Sequence, residues 1–434
     1  MTTEYPFIHA PYSMATWPTK NTIVDQHSIK KRPGYNTRLR NLGAGVSGLA
    51  SEIYAMKDGT RFTLYLTNNT VNATYPYSDL CCKQTGTNET FSYATETGDN
   101  DDSVASVSGT TVTFKASTVV YSATAIAIGD KFILDIDHSA SIEPDTNWAT
   151  ISATANAGGY FTTLTLSASY TGTTGTWTGS EKDCLIRRIY TVPANERWAT
   201  AIVADKFIFT NGNTDVQYWG GSSYAADLET GAATATKARY CIEYANRLVI
   251  ADFDSTRNPF GIAWSKEGDP TDWSDATYGE ADLLETKDTV TGLGKVGAQL
   301  IVYKRESLSF WYRTGQSTVP IARGSHRDGI GMIAPYSLAK YMGANAFLGR
   351  DNFYKLEGNE PIPIGNAIRD KFFELSGHTE AEQTWSFVDS NNRLIHWFTD
   401  TEEGQYAWVW NYQTEEWTVF KFFDEISGAG KGTL

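Results

Sequence analysis

Short apolar runs separated by turn residues recur along most of this chain, and helical periodicity is scarce. The best helical candidate is the segment 364–376, where Ile368, Phe372 and Phe373 share one face and Asn366 could be the N-cap. Elsewhere Thr, Val, Tyr and Trp are prominent in the apolar runs, as is typical of strands. The pattern predicts an all-β protein.

One unit of this pattern repeats: a turn, a polar residue and then an apolar run. The first apolar residues of the six runs are Phe62, Phe207, Leu248, Leu300, Phe347 and Leu394. Their spacings are 145, 41, 52, 47 and 47 residues. A period of about 40–50 residues with several short strands in each unit is typical of β-propeller blades.

An aromatic run follows each of the last five apolar runs. These are VQYW (216–219), GIAW (261–264), SFWY (309–312), NFYKL (352–356) and AWVW (407–410). Because a blade cannot bury its faces alone, large aromatic side chains between neighbouring sheets would hold the blades together. We therefore expect a β-propeller of about six blades, with five or seven as alternatives.

The 145-residue spacing predicts an insertion, because removing about 100 residues leaves one more blade of ordinary length. Residues 86–185 are polar and acidic at first and then rich in Thr, Ser, Ala and Gly. They predict five or six short strands, enough for an inserted small β-barrel or sandwich domain. The predicted organisation is an N-terminal arm (1–45), the propeller (46–85 and 186–424), the inserted domain (86–185) and a flexible C-terminal tail (425–434).

Composition narrows the possible functions. The chain has 434 residues, 41% of them hydrophobic, 13% aromatic and 20% charged, and its net charge is −14. An acidic protein lacks the clustered Lys and Arg of a groove that grips nucleic acid by its phosphates, although DNA could still slide past it. We see no signal peptide, no membrane-spanning run and no disulfide or zinc framework among the four cysteines.

The motifs that could carry chemistry are weak. GAGVSG (43–48) has the spacing of a dinucleotide loop, but it lacks the preceding buried strand and the following helix that such a site needs. SKEGDPTDW (265–273) is a broken, single copy of the Asp-box pattern of sialidase-type propellers, and its simpler interpretation is a turn at Asp269–Pro270 followed by a buried Trp273. We predict no catalytic residue, no cofactor site and no metal site, and hence no enzyme.

One basic cluster lies in the N-terminal arm of this acidic chain. It is either a solvated turn around Pro33–Gly34 or an arm that docks on an acidic neighbour. The candidate interface residues are Lys30, Lys31, Arg32, Pro33, Arg38 and Arg40.

Several strings, taken with this arm, resemble a known family. They are NRLVIADFDSTRNPFGIAWSKEGDPTDW (246–273), VTGLGKVGAQLIVYKRESLSFWY (290–312), HRDGIGMIAPYSL (326–338), FLGRDNFYKLEGNEPIPIG (347–365) and WVWNYQTEEWTVF (408–420). In their order they resemble the tail hub, or nozzle (tail tubular), proteins of tailed bacteriophages, over about two thirds of the chain. The inserted domain has no diagnostic motif.

The resemblance implies a structural virion protein: a homo-hexameric ring around the genome-ejection channel, assembled in the host cytoplasm and residing in the virion tail. Its implied partners are further copies of itself, the portal or adaptor proteins, tail fibres or distal tail proteins, and genomic DNA that passes through the lumen without specific binding or membrane insertion. An acidic lumen would repel DNA and let it slide, so we expect Asp and Glu in excess on lumen-facing loops.

The alternative function is a sugar-binding or glycosidase-type propeller that acts as a receptor-binding tail protein. The aromatic pairs Trp408/Trp410 and Phe310/Trp311 are expected to divide between the blade core and subunit interfaces.

Overall fold

The computed structural model describes residues 104–114, 131–135, 149–157, 160–177, 183–187, 190–191 and 196–422, without 214, 221–225, 229–236, 254–257 and 274–277. Before residue 104 it describes the backbone of the strands alone. The described residues are all-β, apart from one α-helix and one 3-10 turn. The predicted fold class is therefore confirmed at this coarse level.

The chain divides into two compact units. One comprises Met1–Ala44, Pro193–Tyr218 and Asp227–Gly430, and the other comprises Gly45–Val192, Trp219–Ala226 and Lys431–Leu434. This division follows compactness alone, and the domain boundaries given above stay predictions.

The first seven strands contribute a hairpin and most of one sheet. They are β1 (Phe7–Ile8), β2 (Thr22–Asp25), β3 (Ser28–Lys31), β4 (Val46–Ala55), β5 (Arg61–Asn69), β6 (Tyr77–Gln84) and β7 (Phe91–Tyr93). Strands β2 and β3 pair with each other, while β4, β5 and β6 follow one another antiparallel and β7 pairs with β6.

Residues 104–187 form a separate sheet of seven strands. These are β8 (Val104–Ser108), β9 (Thr111–Phe114), β10 (Lys131–Asp135), β11 (Ala149–Ala157), β12 (Tyr160–Leu166), β13 (Gly175–Thr176) and β14 (Asp183–Arg187). Their order is β13-β8-β9-β12-β11-β10-β14, and within the described residues the two end strands do not pair. The predicted barrel or sandwich is here one open sheet. The next strand, β15 (Tyr190–Thr191), pairs with β6 and completes a sheet with β4, β5 and β6.

Five further sheets follow, each with four strands in chain order. Sheet A is β16 (Ala199–Val203), β17 (Lys206–Thr210), β18 (Gln217–Trp219) and β19 (Ala226–Asp227); sheet B is β20 (Ala238–Tyr244), β21 (Arg247–Phe253), β22 (Asn258–Trp264) and β23 (Gly279–Asp282); sheet C is β24 (Val290–Val296), β25 (Gln299–Lys304), β26 (Ser307–Arg313) and β27 (Ile321–Asp328). Sheet D is β28 (Ala339–Tyr341), β29 (Ala344–Leu348), β30 (Phe353–Leu356) and β31 (Pro361–Pro363); sheet E is β32 (Trp385–Asp389), β33 (Leu394–Thr401), β34 (Gly404–Asn411) and β35 (Glu416–Phe422). Strand β1 pairs with β35 and adds a fifth strand to sheet E.

The sequence repeat coincides with these sheets. Phe62 lies on β5, and the other five repeat positions lie on the second strands of sheets A to E. The aromatic runs lie on the third strands β18, β22, β26, β30 and β34. The prediction that each of the last five apolar runs meets an aromatic strand is confirmed, because the second strand of each of sheets A to E pairs with the third.

Tight turns join the first two strands of several sheets. Ala245 and Asn246 have φ values of 52° and 58° between β20 and β21. Met342 and Gly343 have φ values of 44° and 78° between β28 and β29. Two central residues with positive φ match the right-handed twist of the paired strands, so these turns fix the hairpin register.

Sheets A to E bury their faces against one another in sequence. One apolar cluster joins Val203 and Ile208 of sheet A to Leu248 and Ile250 of sheet B. The corresponding clusters between B and C, C and D, and D and E contain the ring pairs Trp264/Trp311, Tyr303/Phe347 and Phe353/Trp397, at centroid distances of 6.4, 5.1 and 5.0 Å. Burial on both faces explains why the strands are almost continuously apolar.

The helix differs from its prediction. It runs from Arg369 to Glu382, later than the predicted 364–376, and its N-cap residue Ile368 makes no side-chain capping bond. Asn366 is not the cap; its Oδ1 accepts a hydrogen bond from Asn352 Nδ2 at 2.7 Å. Phe372 is buried as expected, and the helix is broken at Gly377, where φ is 66° and ψ is −175°.

The expected division of the aromatic pairs is also wrong. Trp408, Trp410, Phe310 and Trp311 are all buried inside the chain. Trp408 and Trp410 belong to the cluster between sheets D and E, whereas Phe310 and Trp311 point to opposite faces of sheet C. Alternation along the strand therefore assigns these rings to contacts between sheets of one chain.

Candidate functional site

The basic arm lies next to the edge of sheet E. Lys30 and Lys31 lie on β3, where they pair in register with Ile23 and Thr22 of β2. The β2–β3 hairpin approaches sheet E through β2, which lies against β35. The other four candidate interface residues, Arg32, Pro33, Arg38 and Arg40, fall outside the described residues.

The N-terminal strand occupies the outer edge of the same sheet. Phe7 pairs with Thr418 and Ile8 with Trp417, antiparallel. Within the described residues, the outer strands of sheets A to D carry no such fifth strand. Sheet E therefore shows a strand-accepting edge, which we take as the candidate interaction site.

The SKEGDPTDW loop holds sheets A and B together. Asp269 Oδ1 accepts hydrogen bonds from the backbone N–H and hydroxyl of Thr271, at 3.0 and 2.7 Å, and from Lys206 Nζ of sheet A at 3.1 Å. Trp273 is buried and donates its indole N–H to the Pro270 carbonyl at 2.9 Å. The interpretation as a turn followed by a buried tryptophan is confirmed.

The carboxylates of this loop are already engaged in ion pairs. Although partial burial opposes it, the hydrogen bonds from Thr271 and Lys206 hold the pKa of Asp269 below its usual value. Asp272 pairs with Lys266 at 3.1 Å, and Glu267 pairs with Arg313 at 3.0 Å. A general acid needs a raised pKa, so Asp269 does not suit that role.

The string LIVYKRES contains a buried ion pair. Lys304 is fully buried, and its Nζ lies 3.0 Å from Asp288 Oδ1. The same ammonium donates to the Leu283 carbonyl at 2.9 Å and to the Thr286 hydroxyl at 2.6 Å. Ser307, three residues after Lys304, donates to Asp288 Oδ2 at 3.1 Å. The Lys-x-x-Ser pattern thus fixes the loop 283–289 to the β25–β26 turn.

The string GMIAPYS fastens sheet C to sheets D and E. A Cβ on Gly331 would lie 2.4 Å from the Glu306 backbone nitrogen, so the position requires glycine. The Ser337 hydroxyl accepts a hydrogen bond from the Leu348 N–H of sheet D at 3.0 Å. The Ser337 carbonyl accepts one from the Trp397 indole of sheet E at 2.8 Å.

A polar cluster joins residues that are far apart in the sequence. Arg239 binds Glu196 through two nitrogens, at 2.8 and 2.7 Å, and the Tyr336 hydroxyl donates to the same carboxylate. Burial and the Glu196 charge raise the pKa of Tyr336 above its usual value. The neighbouring Arg197 lies over the Trp385 ring of sheet E at 4.2 Å. The segment before sheet A therefore touches sheets B and E and the turn that precedes sheet D.

Sequence patterns missed this cluster, since Glu196, Arg239 and Tyr336 share no motif. A signal existed for Lys304, because a lysine that directly follows the apolar run LIVY and precedes Ser307 by three residues suggests a buried polar contact.

Among the described residues, no group of three or more His, Cys, Asp or Glu could hold a metal ion. No helix in the same part of the chain is long and apolar enough to span a membrane.

Comparisons with known proteins give no family. No protein-family model matches the chain, and no curated protein does. One similar solved structure, a protein of Bacteroides fragilis described as exported, is 9% identical with a TM-score of 0.32, over 51% of this chain and 70% of that one. Another, the extracellular domain of a chain described as a hybrid two-component system of B. thetaiotaomicron, is 11% identical with a TM-score of 0.34, over 83% of this chain and 38% of that one. Similarity at this level supports no inference about function.

Proposed function

We propose that this chain is a structural tail hub, or nozzle, protein of a tailed bacteriophage, built as a six-bladed β-propeller with a small inserted β-domain. Copies would assemble into a homo-hexameric ring around the DNA-ejection channel. The ring would contact the portal or adaptor on one side and tail fibres or distal tail proteins on the other, in the virion tail.

The observation that supports this proposal most is the role of the strings that resemble the family. Asp269 and Trp273, Lys304 and Ser307, and Ser337 all make contacts within or between sheets. These sequence segments therefore stabilise the scaffold. A DNA conduit needs such segments, because it works by its shape and rigidity.

The propeller is supported by the sequential packing of sheets A to E. First strands of successive sheets contact each other, as β16 does with β20, β20 with β24, and β28 with β32. The segment at Glu196 and Arg197 touches sheets B and E at once, as a segment near a propeller axis would. The net charge of −14 suits a channel that DNA passes without sticking.

The test is the assembly state of the full chain. We expect mass photometry to give six copies and negative-stain images to give a ring with a through-channel. The Asp269→Asn variant should give the same ring as the unaltered chain. A sugar-processing propeller would instead be a single body, and this substitution would lower its turnover of glycans. A monomer without a ring would contradict the proposal.

A further inference from the structure

Most of the large apolar side chains that the described residues expose lie on sheets C and D. In sheet C, Tyr312 near the end of β26 is 46% exposed and Val319 before β27 is 49% exposed. In sheet D, Met342 in the β28–β29 turn is 86% exposed and Ile362 on β31 is 46% exposed. The remaining one, Leu284, lies in the connection between sheets B and C. Exposed apolar side chains that concentrate on two neighbouring sheets indicate a binding surface.

The turns that carry these side chains lie at the same end of the two sheets. In four antiparallel strands in chain order, the turn between the first two strands and the turn between the last two share one end. At that end the Gly297 N–H of sheet C donates a hydrogen bond to the Gly343 carbonyl of sheet D at 3.2 Å. Gln299, two residues after Gly297, pairs in register with Tyr312. Tyr312, Val319 and Met342 therefore lie at one joined end, which we call the C–D end.

The side chain of Met342 is not required by its turn. In the turns between the first two strands of sheets A, B and D, the first residue with positive φ is Ala204, Ala245 or Met342, with φ values of 47°, 52° and 44°. Alanine is therefore sufficient for this backbone conformation. Methionine adds a long, adaptable apolar side chain that stays in water, and such side chains are enriched at protein interfaces.

The C–D end belongs to a positively charged part of an acidic chain. Residues 290–363, which include sheets C and D, contain nine Lys or Arg and five Asp or Glu, so their net charge is +4. Residues 46–289 and 364–434 together contain 21 basic and 43 acidic residues, which gives −22. The part of the chain that exposes the apolar side chains is thus complementary in charge to the rest of the same chain.

An arginine at the C–D end has donors to spare. Arg313 follows Tyr312, its side chain is 57% exposed, and it donates through Nη2 to Glu267 of sheet B at 3.0 Å. A guanidinium has five N–H donors, so Arg313 can bind a second carboxylate that a partner brings. Tyr, Met and Arg together are the residue types that enrich the centres of protein interfaces.

We propose that the C–D end of each copy docks on an acidic surface of the next copy in the ring, with Met342 as its most exposed apolar contact. This inference rests on the proposed ring. A closed ring brings two different surfaces of the chain together, so that a positive surface meets a negative one. A two-fold dimer through the C–D end would instead place like charges opposite each other, which is unfavourable.

The experiment compares the full-length Met342→Glu variant with the unaltered chain by mass photometry over a series of protein concentrations. Glutamate removes the apolar contact and places a negative charge against an acidic surface. We expect the concentration at which half of the rings dissociate to rise on the order of tenfold or more, as for a residue that contributes strongly to an interface. Met342→Ala, which keeps the turn, should give a smaller rise.

Two further variants serve as controls. Leu284→Glu makes the same change of an exposed apolar residue at the opposite end of the sheets, and it should leave the dissociation concentration of the ring unchanged. Met342→Lys removes the same apolar contact but carries a charge opposite to that of the next copy, so its rise should be smaller than that of Met342→Glu. Far-UV circular dichroism should give the same spectrum for every variant, because both side chains are exposed.

The possible results distinguish failure of this docking from failure of the ring. A ring of Met342→Glu that is as stable as that of the unaltered chain would overturn the docking and leave the ring. Equal rises for Met342→Glu and Met342→Lys would overturn the acidic partner surface, and an equal rise for Leu284→Glu would overturn its location at the C–D end. An unaltered chain that stays monomeric would overturn both the docking and the proposed ring.

Discussion

The seven-stranded sheet of 104–187 and sheets B to E are built from the same antiparallel hairpins but use their faces differently. In the seven-stranded sheet one face is buried: on β12, Leu164 and Leu166 are buried while Thr165 between them is exposed. In sheet B every residue of β21 is buried, so both faces are covered. The difference shows that a sheet packed between two others is apolar at most positions, whereas a sheet with one buried face alternates.

The two regions also differ in what fills them. The core of the seven-stranded sheet is mostly aliphatic, with Val107, Val112, Leu134 and Ile151 among its members. The core between sheets D and E is richer in rings: eight of its 18 buried residues are aromatic, and Trp397 and Trp417 stack at a centroid distance of 5.4 Å. Stability should therefore be more sensitive to ring removal in sheet E than to surface changes in the seven-stranded sheet.

The largest expected effect tests this contrast directly. Trp408→Ala in sheet E should lower the free energy of unfolding by about 4 kcal/mol, because a fully buried indole leaves a large cavity. Thr165→Ala on the exposed face of β12 is the control and should change it by less than about 0.5 kcal/mol. Urea denaturation followed by tryptophan fluorescence measures both. Equal losses of unfolding free energy for the two substitutions would contradict the difference between sheet E and the exposed face of the seven-stranded sheet.

A second prediction concerns charge in the packed sheets. Lys304→Met should destabilise the fold by about 3 kcal/mol, because Asp288 would keep its charge without its buried partner. The double variant Lys304→Met/Asp288→Asn should recover part of the loss. The same urea titration gives both values, and additive losses would show that the two groups are not coupled.

The helix between sheets D and E offers a smaller effect. Gly377 has φ 66° and ψ −175°, a region that is open essentially to glycine alone. Gly377→Ala should cost about 2 kcal/mol for this reason. Gly358→Ala is the control, since a Cβ there would meet no atom within 4 Å and its φ is not positive. Thermal unfolding by circular dichroism compares the two, and equal melting temperatures would contradict the prediction.

The smallest expected effect is a change in pH dependence. Burial raises the pKa of Asp288, but hydrogen bonds from Thr286 and the Glu306 backbone, together with the Lys304 charge, outweigh it and hold the pKa below its usual value. A lowered folded-state pKa gives stability that is present above the unfolded value of about 3.9 and is lost as the pH falls below it. Asp288→Asn should therefore flatten the acid side of the stability profile. An unchanged slope below that pH would refute the assignment.

The repeat could be predicted from the sequence because burial on both faces leaves long apolar runs. Leu248, Leu300 and Phe347 each start such a run, and each lies on the second strand of its sheet. The buried Trp273 was predictable for a local reason, because a turn at Asp269–Pro270 precedes it. Sequence patterns were sufficient where the structural feature depends on residues that are close in the chain.

The rest required three-dimensional contacts. Glu196 and Tyr336 are 140 residues apart, and no spacing rule joins them. Strand alternation predicts that Phe310 and Trp311 point to opposite faces of sheet C. It does not predict that Phe310 packs toward sheet D and Trp311 toward sheet B. Asn366 was a plausible cap by residue type, yet Asn352 binds its side chain and the helix starts after Ile368.

The pairing of β1 with β35 has a consequence for synthesis. On the ribosome Phe7 and Ile8 emerge long before their partners Thr418 and Trp417. Sheets A to D can form from residues that are close in the chain while translation continues, but β1 has no partner until β35 has been made. A nascent chain therefore carries β1 unpaired while sheets A to D are made, and the synthesis of β35 sets the moment at which the two strands can pair.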